Sequence, residues 1–276
     1  MSAETRTEFA ADTSVTPRQA RRARGGSAFR GPVLAVVFGA VFVLAWKLIT
    51  LTGWFKAFVL PAPETVASRF VRAWSDGTMV PHTTTTLVEV LLGFAIGASV
   101  GLILGYALAR SRVVAQALSP YLVAAQATPI LALAPLIALW FGTGLLSKVV
   151  ICGLIVFFPV AISTMVGIRS VDGQLLELCR SLRATRVQVL TRVEIPAALP
   201  AIFGGLRVGV TLAVVGAVIG EWAGGDTGLG VLINLAKGSL FDTPLLFATL
   251  ATLALLGSAL YLAIVLVERR LVGVRA

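Results

Sequence analysis

The sequence predicts an all-α polytopic membrane protein with six transmembrane helices, and three observations carry that prediction. Hydrophobic residues fill 57% of the 276 positions and charged residues only 13%, for a mean hydropathy of +0.93. Soluble domains carry about 25% charged residues. Six apolar runs, roughly 32–52, 83–109, 119–141, 147–168, 197–221 and 244–267, approach or exceed the ~20 residues that a helix needs to cross the hydrocarbon core. The basic residues behind the formal charge of +10 lie between these runs, not on one face. That distribution points away from nucleic acid and toward membrane orientation.

Residues 1–31 read as a disordered basic cytoplasmic tail. They are polar, lack apolar periodicity, and carry Arg6, Arg18, Arg21, Arg22, Arg24 and Arg30. The Arg21-Arg22 pair is followed by no small-residue cleavage site and by an apolar run too long for a signal peptide. A solvated tail that helps to set orientation, with anionic lipid within reach, fits better. Residues 32–270 form the membrane domain and 271–276 a short cytoplasmic C-terminus. The second run is long enough to protrude or tilt. Pro129 and Pro135 in the third run, and Pro159 in the fourth, predict kinks.

With the N-terminus inside, the segments on its side hold the six tail arginines, then Arg110 and Arg112, then Arg169, Arg180, Arg183, Arg186 and Arg192, then Arg269, Arg270 and Arg275. The other side holds only Lys56, Arg69, Arg72, Lys148 and Lys237. This asymmetry places both termini in the cytoplasm. Gly93, Gly97, Gly101 and Gly105 recur every four residues in the second run, and Gly216 and Gly220 repeat the device in the fifth. Such strips let backbones approach closely. They serve intrachain packing, or a dimer seam or translocation path.

The segment 169–196 between the fourth and fifth runs is too long for a turn. Asp172 is placed as an N-cap, with Leu175, Leu176, Cys179 and Leu182 following at helical spacing. Thr185 and Gln188 form a second capping box. Val187, Leu190 and Val193 then share a side, Pro196 ends the helix, and Pro200 stands at the mouth of the next span. The pattern predicts a cytoplasmic helical hairpin offered to a partner. The rival reading is an interfacial helix lying on anionic lipid.

Here the residues resemble a known family. Glu177-Leu178-Cys179, three residues, Arg183, nine residues, Val193-Glu194-Ile195-Pro196 follows the spacing of the EAA loop in permease subunits of bacterial ABC importers. VLPAPETV (59–66), GFAIGASVGLILGYALARSR, TPILALAPLIALWFGTGLLSKV (128–149), FFPV (157–160), PAALPAIFGGLR (196–207), GAVIGEW (216–222) and the GLG of 228–230 resemble the nitrate/sulfonate/taurine-type permeases. Relatives that carry thiamine-precursor pyrimidines and riboflavin share these features. The resemblance spans about residues 32–270.

It implies a type I importer permease fold in the bacterial cytoplasmic membrane, with a coupling helix between spans 4 and 5. It implies a separate ABC ATPase that uses ATP and magnesium, an extracytoplasmic solute-binding protein, and a second permease copy, as homodimer or heterodimer. Glu177, Leu178, Cys179, Leu182, Arg183, Ala184, Val187 and Pro196 would form the ATPase-coupling loop. Glu177 would pair with an ATPase arginine, and Leu182 and Val187 would fill apolar pockets. The family has glycine where this chain has Arg183. That position ends the first helix of the hairpin, where glycine commonly takes the left-handed conformation; an arginine there either costs about 1 kcal/mol in that geometry or reshapes the turn.

Glu221, Arg207, Gly216 and Gly220 are candidates for the translocation pathway or gate. A charge near a membrane path is a functional suspect, although for Glu221 gating or helix-end anchoring is favoured over substrate contact. Arg207 can snorkel from the fifth span. His82 and Glu89 sit at the outer end of the second span; His82 reads as a satisfied interfacial residue, and Glu89 replaces a residue that is often basic in relatives. Trp46, Trp54 and Trp222 fit an outer aromatic belt. Segments 53–82 and 222–243 would receive the binding protein, with a short amphipathic helix over 63–75.

No G-x-x-x-x-G-K-[ST] pattern occurs. No Ser/His/Asp set, paired carboxylates or metal cluster points to catalysis, and Cys152 and Cys179 lack ligand-spaced partners. The chain therefore reads as a non-catalytic transport subunit that binds no cofactor or metal of its own. A secondary transporter would show repeats and interrupted helices with midplane charges. A membrane enzyme would need a catalytic cluster at an interface.

Overall fold

A computed structural model describes residues 30–273 of the chain, and eleven α-helices account for most of them. The basic tail expected over 1–31 lies almost wholly outside the described residues, as do positions 274–276 of the expected C-terminus. The chain divides at Pro63 into two compact units. In the first, α1 (Arg30–Leu51) is apolar and largely exposed, with Phe38 and Phe42 turned outward, as a lipid-facing helix requires. Past its end, the Trp46 indole donates to the Pro61 carbonyl at 3.1 Å and folds residues 52–61 back along it.

The second unit is built on three long helices. α3 (Met79–Arg110) and α9 (Ile195–Gly224) both pack along α6 (Leu145–Arg169), burying Val90, Ala98, Cys152, Val156, Val160, Ala213 and Ala217. The glycine strip of α3 makes this possible. Gly93, Gly97, Gly101 and Gly105 lie against Cys152, Gly153, Val160 and Thr164, and a Cβ at Gly101 would stand 2.9 Å from the Phe157 carbonyl oxygen. Without a strong hydrophobic force between helices in lipid, such close contact supplies the attraction. Four glycines of α9 face the same partner: Gly205 meets Ser163, Gly209 meets Val156, Gly216 meets Cys152 and Gly220 meets Lys148. Both strips thus close inside one chain.

The third apolar run departs from a simple span. It forms α4 (Arg112–Ala127) and α5 (Ile130–Phe141), whose axes meet at 96°. Pro129 is the cause: its ring holds Thr128 in an extended conformation (φ −78°, ψ 121°) that a helix cannot pass through. Pro120, Pro135 and Pro159 lie inside their helices without ending them. Four helical segments among the described residues are long and apolar enough to cross a membrane, Met79–Arg110, Leu145–Arg169, Arg186–Gly224 and Thr243–Leu271, and the bent pair would add a fifth. The first expected span is α1, whose fully described apolar part, Val36–Leu51, is shorter than these. All six expected segments are helical, but they are not six equal rods.

Pro196 also behaves differently from expectation. After α7 (Gly173–Ser181) and α8 (Arg186–Val189), the chain widens into a π-turn over Leu190–Glu194 and runs straight on into α9. Ile195 N–H bonds the Leu190 carbonyl, five residues back. The wider turn accommodates a proline that has no N–H to give and whose ring would strike the carbonyl four residues earlier. Pro196 therefore starts α9 instead of ending a helix.

At the other end of the bundle, the expected amphipathic helix is α2 (Pro63–Ser75). The stretch expected as an external loop over 222–243 contains α10 (Leu229–Lys237). These pack with the start of α11 (Thr243–Leu271) through Ala73, Met79, Leu229, Leu232 and Leu245. Arg69 Nε donates to Asp242 Oδ2 at 2.7 Å, while Asp242 Oδ1 accepts from Leu245 N–H and caps α11.

Candidate functional site: a capped hairpin and an anchored far corner

The hairpin is fixed by its own backbone. Asp172 accepts from Gln174 N–H at 2.9 Å and opens α7. At the other end, Ala184 N–H reaches the Cys179 carbonyl and Arg183 N–H the Arg180 carbonyl, both at 2.9 Å. This pair of bonds is the Schellman closure, which needs a left-handed residue between its donors. Arg183 supplies it with φ 54°. The arginine has kept the geometry expected of the family's glycine, so the turn is not reshaped. Thr185 and Gln188 then exchange their bonds as a capping box, at 3.3 Å and 2.8 Å.

Glu177, Leu178, Leu182, Arg183 and Val187 are exposed on this hairpin, with Cys179 and Ala184 half-buried. Leu178, Leu182 and Val187 are 55%, 72% and 68% exposed, an apolar surface that the described residues leave uncovered. Pro196 lies apart from them, half-buried at the start of α9.

Two contacts not foreseen from the sequence tie the hairpin to the bundle. Arg110 Nη1 donates to Glu194 Oε1 at 2.8 Å, linking the end of α3 to the π-turn, and Arg169 Nη2 donates to the Leu108 carbonyl at 2.8 Å. Glu194 is 2% exposed. A glutamate six residues past the end of the capping box was the available signal. Its partner lies 84 positions away, which no local pattern reveals. Three pathway candidates do not share this region. Gly216 and Gly220 pack on α6, while Arg207 Nε sits 3.5 Å from Glu268 Oε2 on α11.

Glu221 occupies the far corner, at the opposite end of the bundle. It is 2% exposed. Thr86 Oγ1 donates to its Oε1 at 2.5 Å, and Gly230 N–H donates to its Oε2. Thr86 Oγ1 also accepts from Leu229 N–H at 2.8 Å. The free N–H groups at the start of α10 are thus satisfied by a carboxylate and a hydroxyl from two other helices. Gly228 is required on two counts: its φ is 140°, and a Cβ there would overlap the Glu221 carboxyl. His82 Nδ1 lies 2.8 Å from the Gly228 oxygen and 3.0 Å from its nitrogen, and Trp222 Nε1 donates to the Gly230 carbonyl at 2.9 Å. The acid of GAVIGEW and the GLG motif are one structural unit, which anchors a helix end.

Beside it, Lys148 Nζ stands 3.3 Å from Glu89 Oε1. Glu89 is fully buried and Lys148 is 6% exposed. The sequence counted Lys148 only as an external charge; burial and pairing came from the way α6 lies on α3.

Comparisons with known proteins agree with this architecture. The riboflavin transport system permease protein RibX of Chloroflexus aurantiacus is 48% identical over 262 residues, covering 94% of this chain and 96% of that one. The formylaminopyrimidine transport permease protein ThiX of Halalkalibacterium halodurans is 36% identical over 202 residues, covering 73% and 80%. A putative aliphatic sulfonates transport permease protein, SsuC of Bacillus subtilis, is 33% identical over 264 residues, covering 96% and 95%. Among solved structures, an inward-facing form of the MetNI methionine ABC transporter superposes with a TM-score of 0.63 at 20% identity, covering 70% of this chain and 95% of that chain, which speaks to fold alone. The model of the binding-protein-dependent transport system inner membrane component matches residues 97–273. With that match, and with relatives of this identity along nearly its whole length, the chain belongs to the family of binding-protein-dependent transport system inner membrane components.

Proposed function

We propose that this chain forms the solute path of an ATP-driven importer and takes its energy from a separate ATPase through the hairpin over 169–196. The observation that carries the reading is a rigid lever with a bare grip. Leu178, Leu182 and Val187 are exposed, Glu177 is exposed and makes no ion pair among the described residues, and both helices of the hairpin are capped. Exposed apolar side chains on an ordered, polar-flanked element mark a docking surface. A force applied there passes directly into α9 through the π-turn and into α3 through Arg110 and Glu194. Leu182 and Val187 fill apolar pockets on the ATPase, which binds ATP and magnesium, and Glu177 meets a basic residue of it.

The charge asymmetry supports an orientation with this hairpin and both termini in the cytoplasm. The corner formed by α2, α10 and the start of α11 then faces outward and receives a solute-binding protein. A second copy of the chain completes the path, since one hairpin engages one ATPase subunit. The solute is a small one of the kinds named for the relatives, with riboflavin and formylaminopyrimidine favoured by the higher identities. Gly216, Gly220 and Glu221 act by holding α6, α9 and α10 in place, and Arg207 by pairing with Glu268, around that path.

Reconstitution with the ATPase and the binding protein in proteoliposomes tests the reading. Glu177→Lys is expected to abolish substrate-stimulated ATP hydrolysis while the protein still inserts in the membrane. Normal stimulation would remove Glu177 from coupling, and solute uptake without any ATPase would overturn the importer reading.

A further inference from the structure

We propose that the basic cavity between the hairpin and the end of α3 binds a phosphate group, that of an anionic lipid headgroup or of a free phosphate ion. The proposal rests on the orientation given above and adds a ligand to the inner face of the same lever. The cavity has a volume of about 520 Å³ and is lined by Arg110, Leu176, Arg180, Ala184, Arg186 and Val189.

Three separate helices bring the guanidinium groups together: Arg110 ends α3, Arg180 lies in the last turn of α7 and Arg186 opens α8. Among the described residues only Arg110 has an acidic partner. Its Nη1 donates to Glu194 at 2.8 Å, while Arg180 and Arg186 form no ion pair among those residues. Three cations thus surround one cavity with a single carboxylate to answer them, and their repulsion falls when an anion enters. A phosphate suits the place, because its several acceptor oxygens can take donors from guanidinium groups arriving from different directions.

Position favours the lipid as the source. α3 is long and apolar enough to cross a membrane and Arg110 is its last residue, so with the hairpin in the cytoplasm the cavity lies at headgroup level. Basic pockets at the cytoplasmic ends of spanning helices take anionic headgroups. Leu176, Ala184 and Val189 make half of the lining apolar, which serves a glycerol backbone and not a free ion. The ATPase grip lies elsewhere on the hairpin. Leu178 is two positions from both Leu176 and Arg180, about 200° around α7, so a partner holding Leu178 and Leu182 leaves the cavity open. One bound phosphate ties α7, α8 and α3 together beside the Arg110–Glu194 link.

The test uses the full permease with its ATPase in nanodiscs of equal parts phosphatidylglycerol and phosphatidylcholine, with native mass spectrometry counting the lipids retained. Phosphatidylglycerol is expected to be retained in preference. Arg180→Gln and Arg186→Gln are each expected to cut that retention about tenfold, the size of one hydrogen bond to a charged group. Arg192→Gln, which changes an exposed arginine outside the cavity, is expected to leave it unchanged. Inorganic phosphate titrated calorimetrically into phosphatidylcholine nanodiscs separates the sources: absence of heat supports the lipid, and saturable heat lost in Arg180→Gln supports the free ion. The site is overturned if neither probe binds, or if Arg192→Gln costs as much retention as the cavity variants. Retention that appears only after the ATPase is stripped away would give the cavity to an ATPase carboxylate and overturn it too. Glu177→Lys is expected to break ATP coupling and leave phosphatidylglycerol retention unchanged, so the two readings fail separately.

Discussion

The two ends of the bundle are held by opposite means. At the hairpin, the bonds that cap the helices and close the turn join residues within five positions of each other: Asp172 to Gln174, Cys179 to Ala184, Thr185 to Gln188. At the far corner the bonds that bring the helices together span 135 to 146 positions, Thr86 to Glu221, Thr86 to Leu229 and His82 to Gly228. A locally closed element keeps its shape whatever the rest of the chain does, so it can move as a unit and expose apolar side chains without unravelling. A corner made of distant residues keeps its shape only while three helices stay together.

The far corner is the more fragile of the two, and Gly228→Val is expected to show it most strongly. The new side chain meets the Glu221 carboxyl and a backbone at φ 140°, so several effects add and a loss of 3 kcal/mol or more is expected, roughly. Thermal unfolding in detergent measures it, and near-wild-type stability would break the contrast.

The link between lever and bundle comes next. Arg110→Ala strands the buried Glu194 carboxylate, for which the full loss of a partner is about 3–5 kcal/mol. Arg110 is half-exposed and water can replace part of its bond, so about 2 kcal/mol is expected. Glu194→Gln keeps an acceptor for Arg110 and buries no charge, and should be milder. Equal losses in the two variants would show that Glu194 is not buried as described.

The smallest effects belong to the hairpin itself. Thr185→Ala is expected to lose about 1 kcal/mol of local stability, read as faster amide exchange over 186–190 with little change in global unfolding. Arg183→Gly is expected to gain about 0.5 kcal/mol, because relief of the left-handed strain slightly exceeds the added freedom of the unfolded chain. A loss in that variant would mean that the arginine makes a contact worth more than its backbone strain.

This difference in range also explains what could be read in advance. Both hairpin caps, the left-handed turn at Arg183, the amphipathic helix over 63–75 and the helical nature of each apolar run were legible, since each depends on neighbouring residues. The kink at Pro129 was expected but not its size, and the stop at Pro196 was misread, both for one reason. Proline's local effect is certain, but its outcome depends on surroundings. At Pro129 the chain breaks by 96°; at Pro196 a π-turn absorbs the missing N–H and the helix goes on.

By itself the sequence determined an all-helical membrane chain, the lengths of its apolar segments, the charge bias between its two sides and a capped hairpin in its middle. These follow from composition, periodicity and bonds that close within one turn. The tertiary structure alone decided that the two glycine strips meet the same helix, that Glu194 answers Arg110, and that Glu221, Thr86 and His82 hold the start of α10. It also decided that Glu89 and Lys148 are buried as a pair. Those choices depend on which helices lie side by side, and lipid-soluble helices are alike enough that only close packing and the pairing of buried polar groups tell them apart.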